Sequence, residues 1–293
     1  MHPSTLPKLS LLLGLALWPA TAPAVDGVVE INQARALAGG VTAGDAAGFP
    51  VTIAAAGSYR LTGNLDVTGQ ATPEDVTAIE ITADSVSLDL NGFSILGPAD
   101  CTGAPVQSCS GAGSGFGVHC DGPDDVEVRN GVVHGMGFRG VSVTGRSARV
   151  LGVRTSHNGS SGIAVSCYGG SVVDSVARQN GGAGITVGAG VERACDVRDN
   201  EAYGNAGAGF DVNAPAGVLR GNNASTNGGD GFRFAVGASR WTIRANSAVE
   251  NTLDGFHVIC PSNLHGNVAG FNGGLAYDLD TTGGACLSVD NLP

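Results

Sequence analysis

The sequence is poor in charged and aromatic residues and almost free of lysine. Charged residues make up 14% of the chain and aromatic residues 5%, and Lys8 is the single lysine. The formal net charge is −11. Because phosphate backbones and anionic membrane surfaces repel an acidic chain, nucleic acid is not an expected partner. The same charge argues against tight binding of a polyanionic glycan unless a cation bridges the two.

Long hydrophobic runs are missing after the N-terminal region, so no later segment is predicted to span a membrane. Residues 9–18 form an apolar run that follows Lys8 and precedes the small residues of "PATAPA". This order is typical of a signal peptide, here residues 1–24 with cleavage after Ala24. An N-terminal core helix is the alternative, but the run has no amphipathic period. We therefore predict a secreted or periplasmic protein whose mature chain contains no lysine.

Glycine, in contrast, is abundant and recurs in a pattern. The chain contains 48 Gly, which together with few aromatic residues suggests many short strands and tight turns. The pattern Asn-x-x-x-Gly-apolar-x-apolar returns every 21 to 25 residues, at Asn158, Asn180, Asn205, Asn227, Asn251 and Asn272. A second asparagine column lies five residues ahead of the first, at Asn200, Asn222, Asn246, Asn267 and Asn291. A fixed period of this length predicts a repeat architecture.

Each repeat contains a short strand whose side chains alternate between the two faces. Parallel strands this close in sequence leave no room for crossover helices, so the chain must wind in coils as a parallel β-helix. A helical solenoid would need a 3.6-residue apolar stripe, which is missing between Ile79 and Pro293. We expect the inward residues to stack in columns: Ile163, Val165, Ile185, Val187, Phe210, Val212, Phe232 and Phe234.

The repeat resembles that of right-handed parallel β-helix proteins of the pectate lyase-like superfamily, and the resemblance covers residues 51–291. The stretches "GSYRLTGNL" (57–65) and "SVSLDLNGFSI" (85–95) are similar to the first coils of uncharacterised exported bacterial members. The resemblance implies an all-β, single-stranded, right-handed parallel β-helix (a solenoid) of about nine coils. Residues 51–293 would form it. Residues 25–50 would be a short N-terminal helical cap, with helical spacing at Val28, Ile31 and Ala34.

All seven cysteines follow the predicted signal peptide, which is consistent with an oxidising compartment. Their positions within the repeat predict two equivalent bridges between coils, Cys167–Cys195 and Cys260–Cys286. Cys120 takes an inward position and should be a free thiol, which leaves Cys101–Cys109 to close a loop. Since no CxxC occurs and the histidines are scattered, structural disulfides are favoured over a metal site.

Ionisable residues concentrate in the last coils on the outward side of the repeated strand. We assign catalytic roles to Asp230, Arg233, Asp254 and His257, and substrate binding to Asp211, Asp278 and Asp280. Asp254, Asp278 and Asp280 could also hold Ca²⁺. The alternative is a plain cross-strand ion-pair network on a solvated sheet. A second set is interpreted as ordinary surface: His119, Asp121, His134, Arg139 and Arg146.

Two functions are compatible with these features. The first is an exported, monomeric protein that binds a polysaccharide along one parallel sheet and, as a polysaccharide lyase or glycoside hydrolase, would also cleave it. The second is a non-catalytic surface, adhesion or structural rod module, favoured by the scarcity of aromatic residues that stack on sugars. Without lysine in the mature chain, lysine-dependent lyase chemistry is excluded. "PDD" (123–125) is present, but the other polygalacturonase-like and pectate lyase-like motifs are missing.

Overall fold

The computed structural model describes residues 27–293, except for the side chains of residue 167 and residues 189–193. The predicted signal peptide, residues 1–24, lies outside the described residues. In the described part of the chain, no helix is long and apolar enough to cross a membrane.

Within residues 27–293, two long sheets of parallel strands run the length of the molecule, so the fold is a parallel β-helix as predicted. The first sheet has 18 described strands: β1 (Val29–Ile31), β3 (Gly57–Leu61), β4 (Leu65–Asp66), β6 (Val86–Asp89), β7 (Ser94–Leu96), β11 (Glu127–His134), β13 (Arg149–Ser156), β15 (Ser171–Val173), β16 (Val176–Arg178), β18 (Cys195–Arg198), β19 (Glu201–Tyr203), β21 (Gly217–Arg220), β22 (Asn223–Ser225), β24 (Trp241–Arg244), β25 (Ser247–Val249), β27 (Asn263–His265), β28 (Val268–Gly270) and β30 (Leu287–Val289).

The second sheet contains the repeated strand of each coil. Its ten described strands are β2 (Val51–Ile53), β5 (Ile79–Ile81), β10 (Val118–Asp121), β12 (Val141–Thr144), β14 (Ile163–Tyr168), β17 (Ile185–Arg193), β20 (Phe210–Val212), β23 (Phe232–Phe234), β26 (Phe256–Ile259) and β29 (Tyr277–Asp280). The number of coils differs slightly from the predicted nine.

The N-terminal cap contains less helix than its spacing suggests. The helix α1 (Gln33–Ala38) begins at Asn32, whose side chain accepts a hydrogen bond from the Arg35 N–H, and ends at Gly39. The preceding residues, expected to be helical, form β1 instead and pair with β3. The β-branched residues of "VVEI" favour a strand when an open sheet edge is within reach.

Two smaller elements interrupt the coils. A 3-10 turn spans Pro73–Asp75, and an antiparallel hairpin is formed by β8 (Asp100–Gly103) and β9 (Val106–Ser110). The hairpin lies between β7 and β10, and it lengthens that coil beyond the usual period.

The predicted inward columns are confirmed, since all eight residues are at most 1% exposed. In the later coils the column becomes a stack of aromatic rings. The Phe210 and Phe232 rings lie 4.7 Å apart, as do those of Phe232 and Phe256, and Tyr277 continues the stack at 5.1 Å from Phe256. The solenoid interior beneath the ionisable coils is therefore lined by stacked aromatic rings.

The asparagine columns form two hydrogen-bonded ladders at the turns, as the repeat predicts. In the first, the Asn205 Nδ2 donates to the Asn227 Oδ1 at 2.9 Å and to the Ala177 carbonyl at 2.9 Å. The second ladder runs from Asn200 to Asn291 with the same pattern. Because Asn205 and Asn227 are fully buried, these bonds satisfy backbone groups that water cannot reach.

Two of the predicted disulfides are present. Cys101 and Cys109 join the two strands of the hairpin, with Cα atoms 4.0 Å apart, and Cys260 and Cys286 are bonded with Cα atoms 5.0 Å apart. Cys195 is also disulfide-bonded. The side chain of its predicted partner, Cys167, lies outside the described residues.

Cys120 is a free, buried thiol of the described chain, at the position that Val143 and Val165 occupy in neighbouring coils. Burial, reinforced by the Glu80, Asp121 and Asp84 carboxylates, raises its pKa from the usual thiol range to about 12. An unfolded thiol ionises at lower pH, so this group contributes stability below about pH 9 that is lost as the pH rises toward 12.

We therefore expect Cys120→Val to fold normally and to lose less stability between pH 8 and pH 10.5 than the wild type, since valine cannot ionise. Thermal melts followed by circular dichroism across this range would measure the difference. An identical alkaline decline in both proteins would show that Cys120 does not titrate as described.

Candidate functional site

The ionisable residues of the last coils form one column on the outer face of the second sheet. Asp211 of β20 is paired with Arg233 of β23, Arg233 with His257 of β26, and His257 with Asp278 of β29. Since neighbouring strands are about 4.8 Å apart, these four side chains form a continuous row. We call them the charged column.

The column contains two ion pairs. His257 Nδ1 lies 2.8 Å from Asp278 Oδ2, and Arg233 Nη1 lies 3.6 Å from Asp211 Oδ1. The Arg233 side chain is 55% exposed and that of His257 is 33% exposed. Because the Arg233 side chain is exposed and its contact with Asp211 is long, the guanidinium is accessible to a ligand.

A second row lies beside the charged column, three residues earlier in each coil. Here Asp230 Oδ1 accepts a hydrogen bond from the Asp254 N–H at 3.0 Å, and Asp254 Oδ1 accepts one from the Leu275 N–H at 2.6 Å. Each carboxylate therefore holds the turn of the next coil. Asp230 is 8% exposed, and this burial raises its pKa above the usual carboxyl range although the Asp254 N–H opposes the shift.

Asp280, the third residue of the predicted Ca²⁺ site, is engaged in a local turn. Its Oδ1 accepts a hydrogen bond from the Thr282 N–H at 2.9 Å, and the bonds from Thr282 lower its pKa. Among the described residues, the potential metal ligands that converge are instead Asp254, His257 and Asp278, whose ligand atoms all lie within 4.8 Å of one another. The predicted set consisted of three aspartates, whereas the set that converges in the structure contains His257 in place of Asp280.

A sequence model described as "right handed beta helix region" matches residues 116–272, more than half of the chain. The chain belongs to the right-handed β-helix family. No curated protein matches the sequence.

Several solved structures share this right-handed β-helix. The A-module of mannuronan C-5 epimerase AlgE4 from Azotobacter vinelandii is 17% identical with a TM-score of 0.53, over 81% of this chain and 68% of that one. A double mutant of the periplasmic alginate epimerase AlgG is 13% identical with a TM-score of 0.49, over 82% and 70%. A variant catalytic domain of a GH87 alpha-1,3-glucanase is 9% identical with a TM-score of 0.44, over 82% and 62%. Such likeness shows the fold alone.

At the other end of this β-helix, the outer face of the second sheet carries a His–carboxylate pair formed by outward residues of successive coils. His119 Nδ1 lies 2.9 Å from Glu80 Oε2, and the His119 ring stacks on Phe116 at 4.2 Å. The two residues are 39 positions apart because the hairpin lies between them.

The second set of residues proposed from the sequence does not form one patch. His134 is part of β11 in the first sheet, where its Nδ1 lies 3.0 Å from the Ser156 hydroxyl. Arg139 lies instead on the side of His119. The Arg139 guanidinium is 5.1 Å from the centre of the Phe138 ring, and burial lowers the pKa of Arg139. His134 lies in a strand of the first sheet, whereas the repeat motif marks the strands of the second sheet.

Proposed function

We propose that the protein binds a polysaccharide along the outer face of the second sheet, at the charged column. The observation that carries this proposal is the row formed by Asp211, Arg233, His257 and Asp278 on adjacent strands. An extended glycan presents hydroxyl groups at regular intervals along a line, and the partly exposed column offers it donors and acceptors in the same direction.

The balance of charge favours a neutral glycan. Asp211 and Asp278 lie in the column with Arg233 and His257, and Asp230, Asp254 and Asp280 lie beside it. Carboxylates accept strong hydrogen bonds from sugar hydroxyls but repel uronate groups. A uronate-containing polymer would therefore need a bridging cation. The structure of the AlgE4 A-module, named a mannuronan C-5 epimerase, supports only the compatibility of this fold with a polysaccharide.

Cleavage is a second candidate function, and the raised pKa of Asp230 is the observation that favours it. A carboxyl group that keeps its proton at higher pH suits a general acid, and Asp254 on the next coil would then act as the base. Arg233 and His257 would orient the substrate. The disulfides favour an oxidising compartment, which supports the proposal that the protein is exported.

The binding proposal predicts that the double variant Arg233→Ala, His257→Ala loses at least about tenfold in glycan affinity, because each hydrogen bond to a charged group contributes about 1.5–3 kcal/mol. Affinity gel electrophoresis against a panel of neutral and uronate polysaccharides, with and without Ca²⁺, would measure the loss. The same samples would be assayed for new reducing ends and for unsaturated products.

The first sheet offers a matched control. Arg244 and His265 are paired on adjacent strands β24 and β27, and both are exposed. The variant Arg244→Ala, His265→Ala removes the same two residue types and should bind as the wild type does. Equal losses in both double variants, or no retardation of the wild type by any glycan, would contradict the proposed site and favour the rod-module interpretation.

A further inference from the structure

We propose that Asp254, His257 and Asp278 form a binding site for a divalent first-row transition metal ion of the Zn²⁺ type. The three residues come from two adjacent coils, and each is half-buried. The proposal is independent of glycan binding, since metal binding is measurable without a glycan.

The geometry suits a small ion. The ligand atoms lie within 4.8 Å of one another, and the His257 Nδ1 and Asp278 Oδ2 atoms are 2.8 Å apart. Carboxylate and imidazole ligands bind Zn²⁺ at about 2.0–2.2 Å, so neighbouring ligands of one ion lie about 3 Å from each other. The His257–Asp278 pair already has this separation, and a modest inward movement of the Asp254 carboxylate would complete the set.

The donor atoms distinguish this site from the Ca²⁺ site predicted from the sequence. Ca²⁺ takes six to eight oxygen ligands, whereas imidazole nitrogen suits Zn²⁺ and its neighbours in the first transition row. Among the described residues, Asp280 is not part of the convergent set of ligand atoms, so the set supplies a histidine nitrogen in place of a third carboxylate. One nitrogen and two carboxylates leave at least one coordination position for water or a ligand.

The structure also fixes the ligands in place. The Leu275 N–H binds Asp254 through Oδ1, and a carboxylate has a second oxygen with which to bind an ion. Gly274 packs directly against this carboxylate, so that a Cβ atom at that position would overlap the Asp254 Oδ1. His257 is held at the other side by Asp278. The three side chains are therefore held close to one another before any ion arrives, and only the Asp254 carboxylate has to move.

A second His–carboxylate pair in the same sheet serves as an internal control for the proposed metal site. Glu80 and His119 lie on adjacent strands of the same sheet, with the same Nδ1–carboxylate contact at 2.9 Å. In the part of the chain that the structure describes, three or more potential ligands converge only at Asp254, His257 and Asp278. If a His–carboxylate pair alone sufficed, both pairs would bind metal; if three ligands are needed, only the Asp254 set will.

The test uses the tag-free, chelator-treated mature protein. Calorimetric titration with ZnCl₂ should give one site per chain, with CaCl₂ binding more weakly, and Co²⁺ should give visible absorption bands from the bound ion. His257→Ala and Asp278→Asn should each lower Zn²⁺ affinity at least about tenfold and abolish the Co²⁺ bands. His119→Ala should leave both unchanged.

Circular dichroism would show whether each variant is folded. If His257→Ala does not fold, Asp278→Asn, which keeps the size of the side chain, still tests the metal site. The proposal is overturned if the wild type binds no stoichiometric Zn²⁺, if Ca²⁺ binds more tightly, or if both ligand variants bind as the wild type does. An equal loss in His119→Ala would also overturn it. A wild-type protein that binds Zn²⁺ but is retarded by no glycan would reject the proposed function alone.

Discussion

Replacing Phe232 by alanine is expected to destabilise the protein by about 3–5 kcal/mol, the usual cost of truncating a buried phenylalanine. The Phe232 ring is fully buried and lies between the rings of Phe210 and Phe256, 4.7 Å from each. Removing it leaves a cavity and breaks two stacking contacts. The coils above and below are closed and rigid, so they cannot collapse into the space.

Urea unfolding, followed by the fluorescence of Trp241, would measure this loss. Trp241 is fully buried and its ring lies 5.7 Å from that of Phe234, in the same coils as Phe232. Phe271→Ala is the matched control, because that ring is 90% exposed and its removal should change stability by less than about 0.5 kcal/mol. If the two variants unfolded at the same urea concentration, the aromatic stack would not be a principal source of stability.

Much of the fold could be predicted because the repeat shows which residues are neighbours on adjacent coils. Once Asn158 and Asn180 are aligned, all residues at equal distances from them must lie on adjacent coils. The adjacency of Arg233 and His257 follows from the same alignment and needs no knowledge of the side chains. Register is so strongly specified here because a one-residue slip would turn every inward side chain outward.

The details that escaped prediction are those that the repeat does not encode. The position of Asp280 in the repeat does not show that a turn with Thr282, two residues later, engages its Oδ1. Asp230 and Asp254 share a position in successive coils, yet both hold the backbone of the following coil as well as facing the column. Local hydrogen bonds of this kind depend on turn conformation, which the period leaves undetermined.

The repeat motif also does not indicate which strands of the early coils belong to the first sheet. The hairpin with the Cys101–Cys109 bridge interrupts the period there, and β11 has no asparagine at the marker position. Its His134 was therefore grouped with residues of the other sheet. The insertion changes the distance along the sequence but not the stacking of the coils, so Glu80 and His119 remain neighbours across it.

The asparagine ladders should be as important for stability as the apolar core, and Asn222 allows this to be tested. Its side chain is 1% exposed, and its Oδ1 accepts hydrogen bonds from the Asn200 N–H and Nδ2 at 3.1 and 3.0 Å. Its Nδ2 donates to the Val197 carbonyl and to the Asn246 Oδ1, at 2.9 and 3.0 Å. Alanine would remove all four bonds at once.

We expect Asn222→Ala to lose about 2–6 kcal/mol, because the buried Asn200 N–H and the Val197 carbonyl each lose a partner at roughly 1–3 kcal/mol per group. Asn223, the next residue, is exposed, and Asn223→Ala should change the free energy of unfolding by less than about 0.5 kcal/mol. Urea unfolding of the two variants gives the comparison. In a solenoid each coil contacts only its neighbours, so a break in the ladder should expose the amides of the adjoining turns to hydrogen exchange first. Equal stability of the two variants, or exchange spread evenly over all coils, would show that the asparagines mark the turns without holding them together.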